Sequence, residues 1–259
     1  MSQDERRLTI LLITEDGSKD AHGTLTAVVQ SMLSLVIDRY RQDQIRFEPI
    51  NDPIARQAAR ANAWKSKNPR DNHKLVALRR YIANVLMHER GFVCFHFDGD
   101  RRWSERDSSE NAAKFETQFR HQVSQLVLGE LKDRGKIHEL DDRMARLIAL
   151  VPFYSIEAWL YQNARVAMRI LRDQYSGKDV ALFQNWTENP ALLDEMECPK
   201  DQCCLGGRHN LELARDGFPV RAVAELGLSF AAAVASLRCA PGLVAALQST
   251  LDESWAKTI

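Results

Sequence analysis

The chain carries no excess of charge of either sign: 35 Lys and Arg balance 35 Asp and Glu over 259 residues. Without a global basic field, any nucleic-acid contact has to come from a local patch. No apolar run approaches the roughly 20 residues that a membrane helix needs, and the polar start MSQDERR lacks the apolar core of a secretory signal. A soluble, cytoplasmic protein with no membrane partner is therefore expected. Cysteine is scarce and odd in number (Cys94, Cys198, Cys203, Cys204 and Cys239), which argues against a disulfide framework and for a reducing compartment. Cys198, Cys203 and Cys204, with His209 beyond, lack the second ligand pair of a structural zinc site and are read as ordinary thiols. There is no G-x-x-x-x-G-K-[ST], so the chain is not expected to hydrolyse ATP by itself, and no internal repeat or low-complexity tract.

What is present begins with residues 92–102, FVCFHFDGDRR, an apolar run that ends in two aspartates one residue apart. Such a run reads as a strand buried on both faces, with Asp98 and Asp100 at its carboxyl end, where open α/β sheets place their ligands. If extended geometry continues to Asp100, both carboxylates share a side and face one hard cation such as Mg2+. Asp-Gly-Asp is equally ordinary turn chemistry. A second short apolar run, residues 8–14, precedes the polar turn 15–20 and a helical pattern over residues 24–40. Residues 45–50 read as a strand, with Pro49 marking an edge or the end of the strand. Part of the polar, basic stretch 51–72 reads as a mobile loop, in which Trp64 is available to stack on a base. Helices are expected over residues 73–89, 110–132 (capped by Ser108 or Ser109) and 156–171, and a strand within 145–153.

Strands alternating with helices predict an α/β fold: a mostly parallel sheet with helices on both faces, followed by a mainly helical C-terminal segment. The core is placed at residues 1–172, and residues 173–259, loop-rich and then Ala-rich, form an accessory segment.

Three acidic positions fall at three expected strand ends: Glu15, the Asp98–Asp100 pair, and Glu157 at the start of a helix. Strand ends of a parallel sheet converge on one rim, and clustered carboxylates call for a proton or a cation. Lys19, Arg101 and Arg102 are the candidates to hold a phosphate backbone. Bland readings stand beside these: Glu157 suits a helix N-terminus, Asp20 suits a helix start, and Trp159 suits the core.

In this arrangement the chain resembles the Toprim domains of topoisomerases, primases and overcoming-lysogenization-defect nucleases. The resemblance rests on Glu15, Gly17 and Asp20 in ITEDGSKD, on Asp98-Gly99-Asp100 in HFDGDR, and on IEAWL at residues 156–160, similar to an element of small Toprim-like proteins of bacterial antiviral defence operons. It spans residues 8–165. The family's usual Glu-Gly is here Glu15-Asp16-Gly17, one residue longer, which shifts the alignment of Asp20. The resemblance implies Mg2+ or Mn2+ held by Glu15, Asp98, Asp100, Glu157 and Asp20, with Glu15, Asp98 and Asp100 catalytic. It implies nuclease activity on DNA or RNA and an ATPase partner in antiviral defence; self-association is an equally open partner mode. Two other readings remain open: a non-catalytic Toprim-like binding module, and a metal-dependent phosphatase acting on a small molecule.

Overall fold

The strands are apolar on both faces because both are covered. Within β1 (Leu8–Ile13), Leu8, Ile10 and Leu12 join one buried cluster while Leu11 and Ile13 join another, as the period of two demands. Residues 8–15, 18–38, 41, 45–60, 64–65, 71–240 and 242–248 are described by the structure, a computed structural model. β1 leads into α1 (Lys19–Val36), β2 (Ile45–Glu48), α2 (Pro53–Arg60), α3 (Asn72–Met87) and β3 (Gly91–His96). A continuous helical run follows, formed by α4 (Glu110–Lys114), a π-helical stretch at Phe115–Arg120 and α5 (His121–Asp133). After it come α6 (Leu140–Met144) and β4 (Leu147–Leu150). The C-terminal part is helical: α7 (Glu157–Leu160), α8 (Ala164–Gln174), α9 (Val180–Glu188), α10 (Asn210–Arg215), α11 (Val220–Leu226) and α12 (Leu228–Cys239).

All three strand pairings are parallel and the order is β2-β1-β3-β4, so the fold is α/β, as the alternation predicts. From β1 the chain crosses outward to β2 and then returns over β1 to β3. That reversal makes the carboxyl ends of β1 and β3 the switch point, where the connecting loops diverge and leave a crevice. One face is covered by α2, α3, the π-helical stretch and α5, the other by α1 and by α7 to α12. The apolar cluster on the second face runs from β1 through Leu243 and Leu247 without interruption at residue 172. Among the described residues no single helix is long and apolar enough to cross a membrane.

Local differences from the sequence reading have physical causes. Within 51–72, residues 53–60 form a helix that the sequence reading did not place. Pro53 occupies the first helical position, Asp52 Oδ1 accepts from Ala55 N at 2.6 Å, and the buried stripe is Ala55, Ala58 and Ala59, whose small side chains give a weak apolar signal beside Arg56 and Arg60. Residues 61–63 and 66–70 lie outside the described ones. Trp64 is not available for stacking: it is buried, with edge contacts to Phe95, Phe97, Phe115 and Phe119. The helix expected over 156–171 breaks at Asn163, whose buried amide donates to the carbonyls of Leu213 and Asp216.

Candidate acidic cleft

Glu15 follows β1, Asp98 lies two residues past β3, and Glu157 opens α7 beyond β4. With Asp20 in the first turn of α1, these carboxylates line one cleft of about 610 Å³ at the switch point. His96, Ser155, Lys200, Arg208 and Asn210 also face it.

Each acid is held differently. Glu15 Oε1 sits 2.5 Å from Lys65 Nζ in an ion pair without hydrogen-bond alignment. The buried Glu157 accepts from Asn210 Nδ2 at 2.8 Å. Burial pushes the Asp98 carboxyl up to about 7, and the charges of Glu15 and Glu157 push the same way against Lys65 and Lys200. The carboxylates are therefore close enough to act on one another, and near neutral pH the cluster moderates its repulsion by keeping a proton on Asp98. Burial, then nearby Lys65, pushes His96 down to about 4, so its imidazole is neutral at pH 7. Its Nε2, like Ser155 Oγ, Thr24 Oγ1 and Asn210 Oδ1, is a buried lining atom without a hydrogen-bond partner among the described residues. Such atoms offer a polar ligand ready contacts.

Asp100 does not join them. β3 ends at His96, and Asp100 has φ of 55°, so extended geometry does not continue and the i, i+2 alignment fails. Its carboxylate meets Ser109 Oγ at 2.8 Å, and it is not among the lining residues of the cleft. The turn is fixed by close approach at Gly99, whose N–H donates to Pro152 O at 2.9 Å. A Cβ there would lie 3.1 Å from Phe153. Ser109 Oγ also accepts from Ala112 N as the cap of α4, and its single proton is shared between Gly99 O and Asp100. Ser109→Ala is expected to cost about 1–2 kcal/mol in urea denaturation; a change below about 0.3 kcal/mol would refute the capping role.

Among the proposed phosphate-holding residues, Arg101 Nη1 donates to Asp100 O at 3.1 Å, Arg102 pairs with Glu197 at 3.2 Å, and Lys19 is exposed at the start of α1, outside the cleft lining. Gly17 lies outside the described residues. All five cysteines are free, and burial raises Cys198, Cys203 and Cys204 above the usual thiol range. Among the described residues, the cations that line the cleft, Lys200 and Arg208, and Asn210, which donates to Glu157, come from the C-terminal segment. No periodicity or motif marks them. His96 shows in the sequence only as a polar residue inside an apolar strand.

Among the described residues no group of three His, Cys, Asp or Glu side chains is spaced to hold a metal ion. The donor chemistry nevertheless suits a hard divalent cation: carboxylate oxygens from three strand ends, one of them held above its ordinary pKa by burial and then by its acidic neighbours. The fit is one of chemistry, not of a preassembled shell.

Fold and cleft together define a parallel α/β protein with an acidic cleft at its switch point, walled in part by basic residues. No protein-family model, no curated protein and no solved structure matches the chain.

Proposed function

We propose that the protein is a Toprim-like phosphodiesterase that hydrolyses nucleic acid with Mg2+ or Mn2+. One observation carries this reading: the carboxyl of Asp98 is raised toward neutrality by burial and by Glu15 and Glu157, three acids from three separate strand ends in one cleft. Such a cluster is stabilised by a divalent cation, which when bound supplies charge compensation and polarises the phosphate. Asp98 and Glu157, with Asp20 at the rim, would hold the ion. Glu15 would take the proton of the attacking water once Lys65 releases it, and Lys200 and Arg208 would neutralise the non-bridging phosphate oxygens. Asp100 serves the turn in this scheme. An energy-coupled role would need a second chain, and the family resemblance points to an ATPase as that partner.

The test is cleavage of plasmid DNA and of RNA by the purified protein, with Mg2+ and with chelator, alongside Glu15→Gln. Activity that requires the divalent ion and falls at least 100-fold in Glu15→Gln is expected. Cleavage unchanged by the substitution would remove Glu15 from the site. Metal-independent association without turnover would favour a binding module.

A further inference from the structure

Arg208 lines the acidic cleft, yet among the described residues no carboxylate holds it. Two uncharged side chains do. Its Nε donates to His209 Nε2 at 3.2 Å, Nη2 donates to the Tyr175 hydroxyl at 2.6 Å, and that hydroxyl closes the triangle by donating to His209 Nε2 at 2.9 Å. The imidazole can accept both bonds only when neutral, with its proton on Nδ1. Burial, then the Arg208 charge, lowers the His209 pKa from its ordinary 6.5 against the opposing pull of Glu212, so the ring is neutral at pH 7. The mount is fixed at both ends. Tyr175 directly follows α8, while the buried His209 closes the 3-10 turn Gly207–His209 and the next residue, Asn210, donates to Glu157 at 2.8 Å.

Elsewhere in the chain, arginines that serve the fold pair with acids: Arg143 with Glu139 at 2.7 Å, and Arg169 with Glu212 at 2.7 Å and Asp216 at 2.8 Å. Arg208 is used differently. The mount takes the Nε–Nη2 edge of its guanidinium and leaves the other edge, Nη1 with the second N–H of Nη2, unpartnered among the described residues. That edge fits two oxygens of one phosphate. We propose that Tyr175 and His209 are positioning residues that set Arg208 to grip a backbone phosphate of a nucleic-acid strand by its two non-bridging oxygens, before any divalent ion binds. A guanidinium already held in place loses little freedom on binding, and neutral partners leave its charge to the ligand. A lysine lacks the planar fork and cannot serve mount and ligand together. Only the identity of the strand as substrate rests on the hydrolytic reading; metal-free binding does not.

The test is fluorescence anisotropy of a labelled single-stranded oligonucleotide, prepared as DNA and as RNA, titrated with the full chain at pH 7 in chelator and low salt. Saturable binding of at least one strand is expected, about tenfold weaker in Arg208→Ala and about fivefold weaker in Tyr175→Phe, which removes only the hydroxyl. Arg208→Lys keeps the charge without the fork and should bind about as weakly as Arg208→Ala. Because Tyr175 acts through Arg208, the Tyr175→Phe/Arg208→Ala double variant should bind as Arg208→Ala does, and His209→Leu, which removes the acceptor, should behave in the same way in the same cycle. A merely structural tyrosine would weaken the double variant by its full factor again, and that result would overturn the positioning role. Glu15→Gln is expected to bind at least as tightly as the wild type, so a failure of the cleavage reading leaves these results standing. Absence of binding to either strand, binding unchanged in Arg208→Ala, or binding restored by Arg208→Lys would overturn the proposal.

Discussion

Asp98→Asn is expected to abolish divalent-metal-dependent cleavage, by on the order of 10³-fold, while making the metal-free protein more stable at pH 8. The two effects have one origin. In the folded chain the carboxyl is pushed from an ordinary 3.8 up to about 7, first by burial and then by Glu15 and Glu157. Because this pKa lies above that of the unfolded chain, the native state binds the extra proton between about pH 4 and pH 7. Stability therefore falls as pH rises through that window. Above it, wild type bears the full cost of a buried, repelled charge, which a rise to about 7 sets at up to about 4 kcal/mol. Asparagine keeps the shape and carries no charge, so the variant gains most above pH 7 and nothing below about pH 4.

Urea denaturation of both proteins at pH 4, 6 and 8, with and without Mg2+, measures this. The stability gap between variant and wild type should widen with pH in chelator and narrow when Mg2+ is added, since a cation bound by the native state stabilises only the protein with the carboxylate. A gap independent of pH would show that neither burial nor the other carboxylates raise the Asp98 carboxyl. Full cleavage by Asp98→Asn would remove it from the reaction. A gain in stability with loss of activity is unlike core damage, which lowers both.

The parallel sheet was legible because its strands are short, apolar and punctuated, and the convergence of Glu15, Asp98 and Glu157 follows from strand ends meeting at a switch point. The pairing of Asp98 with Asp100 was not, since residue spacing fixes a shared face only while the backbone stays extended, and here it folds at Gly99 and Asp100. The basic wall of the cleft was equally hidden. Lys200 and Arg208 sit in single 3-10 turns and Asn210 opens α10, and their position is dictated by packing of the C-terminal helices on the sheet, a long-range effect with no local periodicity. Lys65 lies next to a tryptophan whose burial among four phenylalanines sets the lysine beside Glu15. In sequence that tryptophan stands in a polar, charged stretch, which invites the opposite reading.

Trp159 links the helix that carries Glu157 to the C-terminal helices, and Trp159→Ala is expected to lower stability by about 3–5 kcal/mol and to disturb Glu157 with it. Trp159 lies two residues after Glu157 in α7 and is fully buried. Its Nε1 donates to Ser229 Oγ at 2.7 Å, and Ser229 Oγ in turn donates to Asp194, which also accepts from Leu228 N at 2.7 Å at the start of α12. The indole meets Phe230 edge-on at 5.5 Å and His96 at 6.4 Å. It thus ties α7 to α12 on one side and to the end of β3 on the other. Truncation opens a cavity against Phe230 and deprives Ser229 of its donor, so both the packing and the polar contributions are lost. Because α7 has a single turn, Glu157 is fixed by this packing together with the hydrogen bond from Asn210 Nδ2, and cleavage should fall even at temperatures where the variant is still folded. Trp159→Phe restores most of the volume but not the indole N–H, so it should recover more than half of the lost stability. Guanidinium denaturation measures the first effect, and cleavage assayed well below the midpoint measures the second. A loss under about 1 kcal/mol would mean that α7 is anchored elsewhere, and normal cleavage by a folded Trp159→Ala protein would show that Glu157 is positioned without this ring.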